Sequence, residues 1–175
     1  MNVKGGYEYF ISFIDYYSRY GYLYLMQHKS EVFEKFKEYK TKVENLLGKS
    51  IKTLRSDRDG EYMDMNFRDY LIENGITSQL LALGTPQQNG ISEKRNRTLL
   101  DMVRSMISYA PLPNSFWGYA VETALYILNV VPSKSFTMTP FELWKDRKAS
   151  LQPFIIWGCP AHVLNTNPNK LEPLF

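Results

Sequence analysis

The stretch from Tyr7 to Asp15 (YEYFISFID) is rich in aromatic and β-branched residues, and such a run predicts a β-strand. YYSRYG then reads as a turn, and YLYLMQ as a second strand, so the two predict an antiparallel hairpin. The period then changes. Val32, Phe36, Tyr39, Val43 and Leu46 recur at helical spacing, with Ser30 placed to cap the helix and Gly48 to end it. IKTLRSD predicts a short strand ending in Asp57, and an acidic turn, DRDGEY, follows it. Next come a short helix near Phe67 to Glu73, stopped by Asn74-Gly75, and a strand over ITSQLLAL. A long helix is expected from about Ile91 to Tyr109. After Pro111 and Pro113, a buried helix capped by Asn114 runs to about Val130. Thr139-Pro140-Phe141-Glu142 has the capping-box spacing with proline at the first helical position. The tail FIIWGCPAHVL reads as one or two strands. Strands alternating with helices in this order predict an α/β fold, a mixed sheet covered by helices.

Composition narrows the function classes. At 44% hydrophobic residues, the 175-residue chain builds a real core rather than staying disordered. The net charge of +3 means that affinity for nucleic acid must come from local patches. One cysteine, Cys159, excludes an internal disulfide and fits an intracellular protein; with only His28 and His162 beside it, no Cys/His zinc site assembles. Trp157, Cys159 and His162 read as core residues. MNVKGGYEYF holds no signal-type apolar run, and Tyr119 to Val131 is too short, with Glu122 and Asn129 inside it, to span a bilayer.

The candidate chemistry lies in carboxylates at the ends of elements. Asp57 closes a predicted strand and Glu93 opens a predicted helix, and acids so placed can converge on Mg²⁺, which prefers about six oxygen ligands. Along the helix, Leu99, Met102, Val103, Met106 and Ile107 share one face, which is core. Glu93, Arg97 and Arg104 form a stripe at the edge of the opposite face, with Lys94 beside them. A plain Glu–Arg pair on that stripe is worth about 0.3–0.5 kcal/mol and does not account for the loop GTPQQNG that precedes it. That loop offers backbone N–H groups and amide side chains suited to sugar, phosphate and base edges.

Taken together, Ser56-Asp57, Gly60-Glu61-Tyr62, Thr85-Pro86-Gln87-Gln88-Asn89-Gly90 and Glu93 resemble the catalytic core of retroviral-type integrases. RNRTLLDMVRSM, LPNSFWGYAVETALYILN and WGCPAHVL extend the resemblance, over essentially the whole chain, to the copia-type retrotransposon polyprotein. The 35 residues from 58 to 92 separate Asp57 from Glu93, the spacing of that family's Asp–Asp–Glu signature. The resemblance implies a ribonuclease H-like fold, a mixed sheet flanked by helices, and metal-dependent 3′-end processing and strand transfer of DNA with Mg²⁺ or Mn²⁺. It makes Asp57 and Glu93 catalytic metal ligands, Lys94, Arg95 and Arg97 the grip on the DNA backbone, and Gln87, Gln88 and Asn89 the lining for the DNA end. It also implies DNA ends and target DNA as partners, a homo-oligomer, no membrane, and a place in the cytoplasm or virus-like particle and the nucleus.

The chain departs from the family in two ways. The family's first Asp, carried on the central strand of the sheet, is expected to be missing together with that strand, so the metal would be weakly held. Asp59 stands where the family has glycine. Asp15 is the substitute acid by position, although its simpler role is to order the hairpin turn with Ser18 or Arg19. Three functional readings therefore stay open: an integrase core, inactive in this chain; a non-enzymatic remnant that binds DNA or itself; and an RNase H-like nuclease using Asp15, Asp57 and Glu93. Residues 1–110 are expected to form the N-terminally truncated catalytic core, 111–148 its helical C-terminal part, and 149–175 the start of a linker.

Overall fold

The structure, a computed structural model, describes residues 6–56, 65–80, 86–110, 112–132, 137–151 and 155–160, without the side chains of 80 and 86–89. The first predicted hairpin is present. β1 (Tyr9–Ile14) pairs antiparallel with β2 (Gly21–Met26), in a register running from Tyr9 opposite Met26 to Ile14 opposite Gly21. Both faces of this hairpin are covered, which is why its strands are mostly apolar instead of alternating with polar residues. Ile11, Phe13, Tyr22, Tyr24 and Met26 point to one layer. Phe10, Leu23 and Leu25 point to the other.

The first layer is built on α1 (Val32–Leu47), whose Val32, Phe36, Tyr39 and Val43 are buried as the helical spacing predicts. Phe13 stacks on Tyr39 with ring centroids 4.5 Å apart. Gly48 ends α1 in the left-handed conformation at φ 62°, which a residue with a Cβ adopts only with strain. The helix start differs from expectation. Ser30 does not cap it; the Glu31 carboxylate accepts the backbone N–H groups of Gln27 and His28, at 2.8 and 2.7 Å. Hydrogen bonding to the backbone of His28 holds the Glu31 carboxyl below the usual carboxylate range. β3 (Thr53–Ser56), α2 (Met65–Glu73) and β4 (Thr77–Leu80) complete this layer as a parallel β–α–β unit, Thr53 lying opposite Thr77. Phe67 and Leu71 of α2 are buried in the same core as α1.

The second layer consists of α3 (Pro86–Tyr109) and α4 (Trp117–Val130). Leu99 and Val103 of α3 meet Ala120, Val121 and Ala124 of α4, while Met102, Met106 and Ile107 pack around them. α3 begins at Pro86, five residues before the expected start. A proline at the first helical position gives up no hydrogen bond, and one glycine inside a long helix costs only about 1 kcal/mol, so GTPQQNG is not a loop throughout. Asn114 opens a 3-10 turn, Asn114–Phe116, rather than capping α4 itself. α5 (Pro140–Lys145) has the predicted capping box: Thr139 Oγ1 accepts from the Glu142 N–H at 3.1 Å, and Glu142 accepts from the Thr139 N–H at 2.7 Å. Its Trp144 stacks on Tyr20 and donates from Nε1 to the Tyr22 hydroxyl at 3.2 Å. The described part of the tail, 155–160, makes a turn at Trp157-Gly158 rather than a strand, and 161–175 lie outside the described residues.

The architecture is thus mixed α/β with helices on both faces, but the sheet is discontinuous. An antiparallel pair and a parallel pair lie with no described strand between them. A cavity of about 310 Å³ opens between β1 and β3, where the expected central strand would pair.

Candidate functional site

α3 carries most of the candidate residues, and two polar contacts set its rotation. Ser12 Oγ of β1 donates to Asn96 Oδ1 at 2.8 Å. Arg95 donates from Nη2 to Asn129 Oδ1 of α4 at 2.7 Å. The same buried Asn129 bonds both backbone groups of Gly21, accepting from its N–H and donating to its carbonyl, each at 2.9 Å. One side chain thereby ties α4, α3 and the first residue of β2 together. With Asn96 and Arg95 turned inward, Glu93, Lys94 and Arg97 are left exposed on the outer side.

The three cations expected to act together are therefore separated. Lys94 and Arg97 face solvent, whereas burial pushes the Arg95 guanidinium down to about 10, helped by the nearby charge of Arg19. The contact with β2 is close: a Cβ on Gly21 would lie 3.5 Å from Arg95 Nε and 2.9 Å from Leu125 Cδ1. A lone Asn in the apolar run ALYILNVV was the sequence signal for this network, but its partners are 34 and 108 residues away.

The cavity between β1 and β3 collects Ser12, Asp15, Tyr16, Arg55, Ile91 and Ser92. In sequence, Arg55 stands two residues before Asp57 and Ser92 one before Glu93. Asp57 and Asp59 lie outside the described residues, as do the side chains of Gln87, Gln88 and Asn89, whose backbone is the first turn of α3. Asp15 has the simpler of its two expected roles: its Oδ2 accepts from both the N–H and the Oγ of Ser18, each at 2.7 Å. Among the described residues no three Asp, Glu, His or Cys side chains gather to hold a metal. Glu93 alone supplies too few oxygens for a divalent ion. Cys159 is exposed and Trp157 packs against the α3–α4 core. Among the described residues no helix is long and apolar enough to cross a membrane.

No family model matches the chain. Retrotransposon polyproteins do, two from plants among them. A Retrovirus-related Pol polyprotein from transposon TNT 1-94 of Nicotiana tabacum is 40% identical over 171 residues, 96% of this chain and 13% of the relative. One from transposon RE2 of Arabidopsis thaliana is 32% identical over 169 residues, 95% of this chain and 12% of the relative. The chain thus spans little more than a tenth of either polyprotein. Among solved structures, a chain of the simian T-cell lymphotropic virus intasome in complex with PP2A regulatory subunit B56 gamma matches with a TM-score of 0.62 at 18% identity, over 91% of this chain and 54% of that one. The dimeric form of the HTLV-2 integrase catalytic core domain in complex with magnesium matches with a TM-score of 0.55 at 18% identity, over 75% of this chain and 80% of that one.

Proposed function

The chain belongs to the copia-type retrotransposon Pol polyproteins and has the fold of an integrase catalytic core; from that premise we propose that it is the DNA-integrating segment of such a polyprotein. One observation carries the reading: α3 is locked by Asn96 and Arg95 so that Glu93, Lys94 and Arg97 stand exposed together on its outer side, directly after the Ile91 and Ser92 that line the cavity. Lys94 and Arg97 are suited to phosphate oxygens, which take most protein–DNA contacts and set register on the duplex. Gln87, Gln88 and Asn89, one to two turns earlier on the same helix, line the approach of a DNA end. The magnesium in the HTLV-2 neighbour supports a divalent metal for this site, and Asp57 and Glu93 are the acids that would share it. A divalent ion held by Asp57 and Glu93 would supply Lewis-acid chemistry at phosphorus. The intasome and the dimeric core support DNA and a second copy of the chain as partners.

A second reading is favoured by Asp15. Its Oδ2 accepts two hydrogen bonds from Ser18, which speaks against Asp15 as a metal ligand, and on this reading the chain binds DNA without transferring strands. A strand-transfer assay on a terminal DNA duplex with Mg²⁺ or Mn²⁺ separates the two. Product that forms with this chain and disappears in Glu93→Gln establishes an active core. DNA binding without product in either metal establishes the non-enzymatic reading. A chain that does neither overturns both.

A further inference from the structure

Beside the cavity lies a cluster built around Tyr16. Tyr16, in the loop between β1 and β2, is 61% exposed. The guanidinium carbon of Arg19 sits 4.7 Å from its ring centroid, and that of Arg55 sits 4.8 Å from the same centroid. Cations are drawn to an aromatic face, but two on one ring repel each other. The repulsion extends further, since Arg19 also acts on Arg95. Neither Arg19 nor Arg55 forms an ion pair with a described carboxylate. Asp15, the acid nearest Arg19 in sequence, is bonded to Ser18, and Asp57, two residues after Arg55, lies outside the described residues.

The Arg55 guanidinium is nonetheless held in place by a hydrogen bond, and the backbone that carries Arg19 is fixed. Arg55 projects from β3, and its Nε donates to Gln79 Oε1 of β4 at 2.8 Å. Arg19 is fixed by a left-handed backbone, φ 63°, and by its N–H donating to the Asp15 carbonyl at 3.0 Å. Positive charge positioned by a ring and an amide, with no ion pair to a carboxylate among the described residues, is the arrangement expected of a phosphate grip. Tyr16 and Arg55 line the same cavity as Ile91 and Ser92 of α3.

We propose that the β1–β2 loop and β3 form a second DNA-backbone grip, in which Tyr16 holds Arg19 and Arg55 together for the phosphodiesters of the strand that α3 receives through Lys94 and Arg97. This rests on the DNA reading above and adds its second wall. DNA in the cleft would then be held from both sides, with α3 on one and the hairpin loop and β3 on the other. The ring matters as the spacer between the two arginines, so Phe can replace Tyr16 and Leu cannot.

The test is fluorescence anisotropy of a labelled DNA duplex across a salt series, with circular dichroism to confirm the fold of each variant. Arg19→Gln and Arg55→Gln should each weaken binding about three- to tenfold at moderate salt and flatten the plot of log affinity against log salt by about one unit. Tyr16→Phe should bind as the parent chain, and Tyr16→Leu should weaken binding with both arginines present. Arg55 is exposed, so Arg55→Gln alone decides the matter if Arg19→Gln fails to fold. An unchanged slope in Arg55→Gln, with a flattened slope in Lys94→Gln/Arg97→Gln, overturns the second grip and leaves the DNA reading standing. Unchanged slopes in both sets overturn both. Inorganic phosphate should displace the duplex no better than chloride at equal ionic strength; displacement specific to phosphate would assign the arginines to a free anion and overturn the proposal.

Discussion

At the scale of single residues, Asn129 does the most with the fewest atoms. It is 5% exposed and makes three hydrogen bonds, two to Gly21 and one to Arg95. Truncation strands a buried backbone N–H, a buried carbonyl and a desolvated guanidinium, and leaving such groups unmatched costs about 1–3 kcal/mol each. Asn129→Ala should therefore destabilise the chain by about 3 kcal/mol, read as a lowered urea midpoint with an unchanged slope. A loss under about 0.5 kcal/mol would mean that the network contributes no net stability. The neighbouring arginines show why residue type alone misled. Lys94, Arg95 and Arg97 look like one patch in sequence, yet successive helical residues point about 100° apart. Their rotation was set by Asn96 and Asn129, and neither polar side chain advertises its partner.

At the scale of elements, hydrophobic spacing located α1, α4 and the hairpin well, because each buries a face whose period shows in the chain. Boundaries were less legible where turn-forming residues sit inside a helix. GTPQQNG has the composition of a loop, yet α3 begins at Pro86 and runs through Gly90. A helix held by packing further along tolerates a weak first turn, since tertiary contacts outweigh local propensity. This makes Gly90 a useful probe. It has no positive φ, and a Cβ there meets nothing within 4 Å. Gly90→Ala should stabilise the chain by about 0.5–1 kcal/mol in urea denaturation. A loss of stability instead would place Gly90 outside the regular helix. The Glu31 contact at the start of α1 escaped notice for a related reason: Ser30 is the better capping residue by type, but the side chain one position later reaches the two free N–H groups.

At the scale of the whole molecule, the aromatic layer between the hairpin, α1 and α5 sets how the protein meets high pH. Burial raises the hydroxyls of Tyr20, Tyr22 and Tyr39, and burial reinforced by Glu38 pushes Tyr24 up to about 12. A group raised in the folded state contributes stability in full below its ordinary value, here 10.0, and loses it as pH climbs through the folded value. Arg95 opposes this, since its lowered value near 10 means that the penalty on its charge fades above that pH. Four tyrosines outweigh one arginine, so stability should fall between about pH 10 and 12. The urea midpoint should drop from pH 9 to pH 11, and absorbance at 295 nm should show fewer ionised tyrosines in the folded than in the unfolded chain. A flat midpoint over that range would contradict the buried layer. Sequence by itself determined the α/β class, the order of elements and the family, because periodicity, caps and the Asp57 to Glu93 motif are all written locally. The tertiary structure alone decided that the sheet is split into two pairs, that Arg95 faces inward, and that Arg19 and Arg55 share one ring. Each of these depends on residues far apart in the chain, whose meeting is set by packing and leaves no mark in the neighbouring sequence.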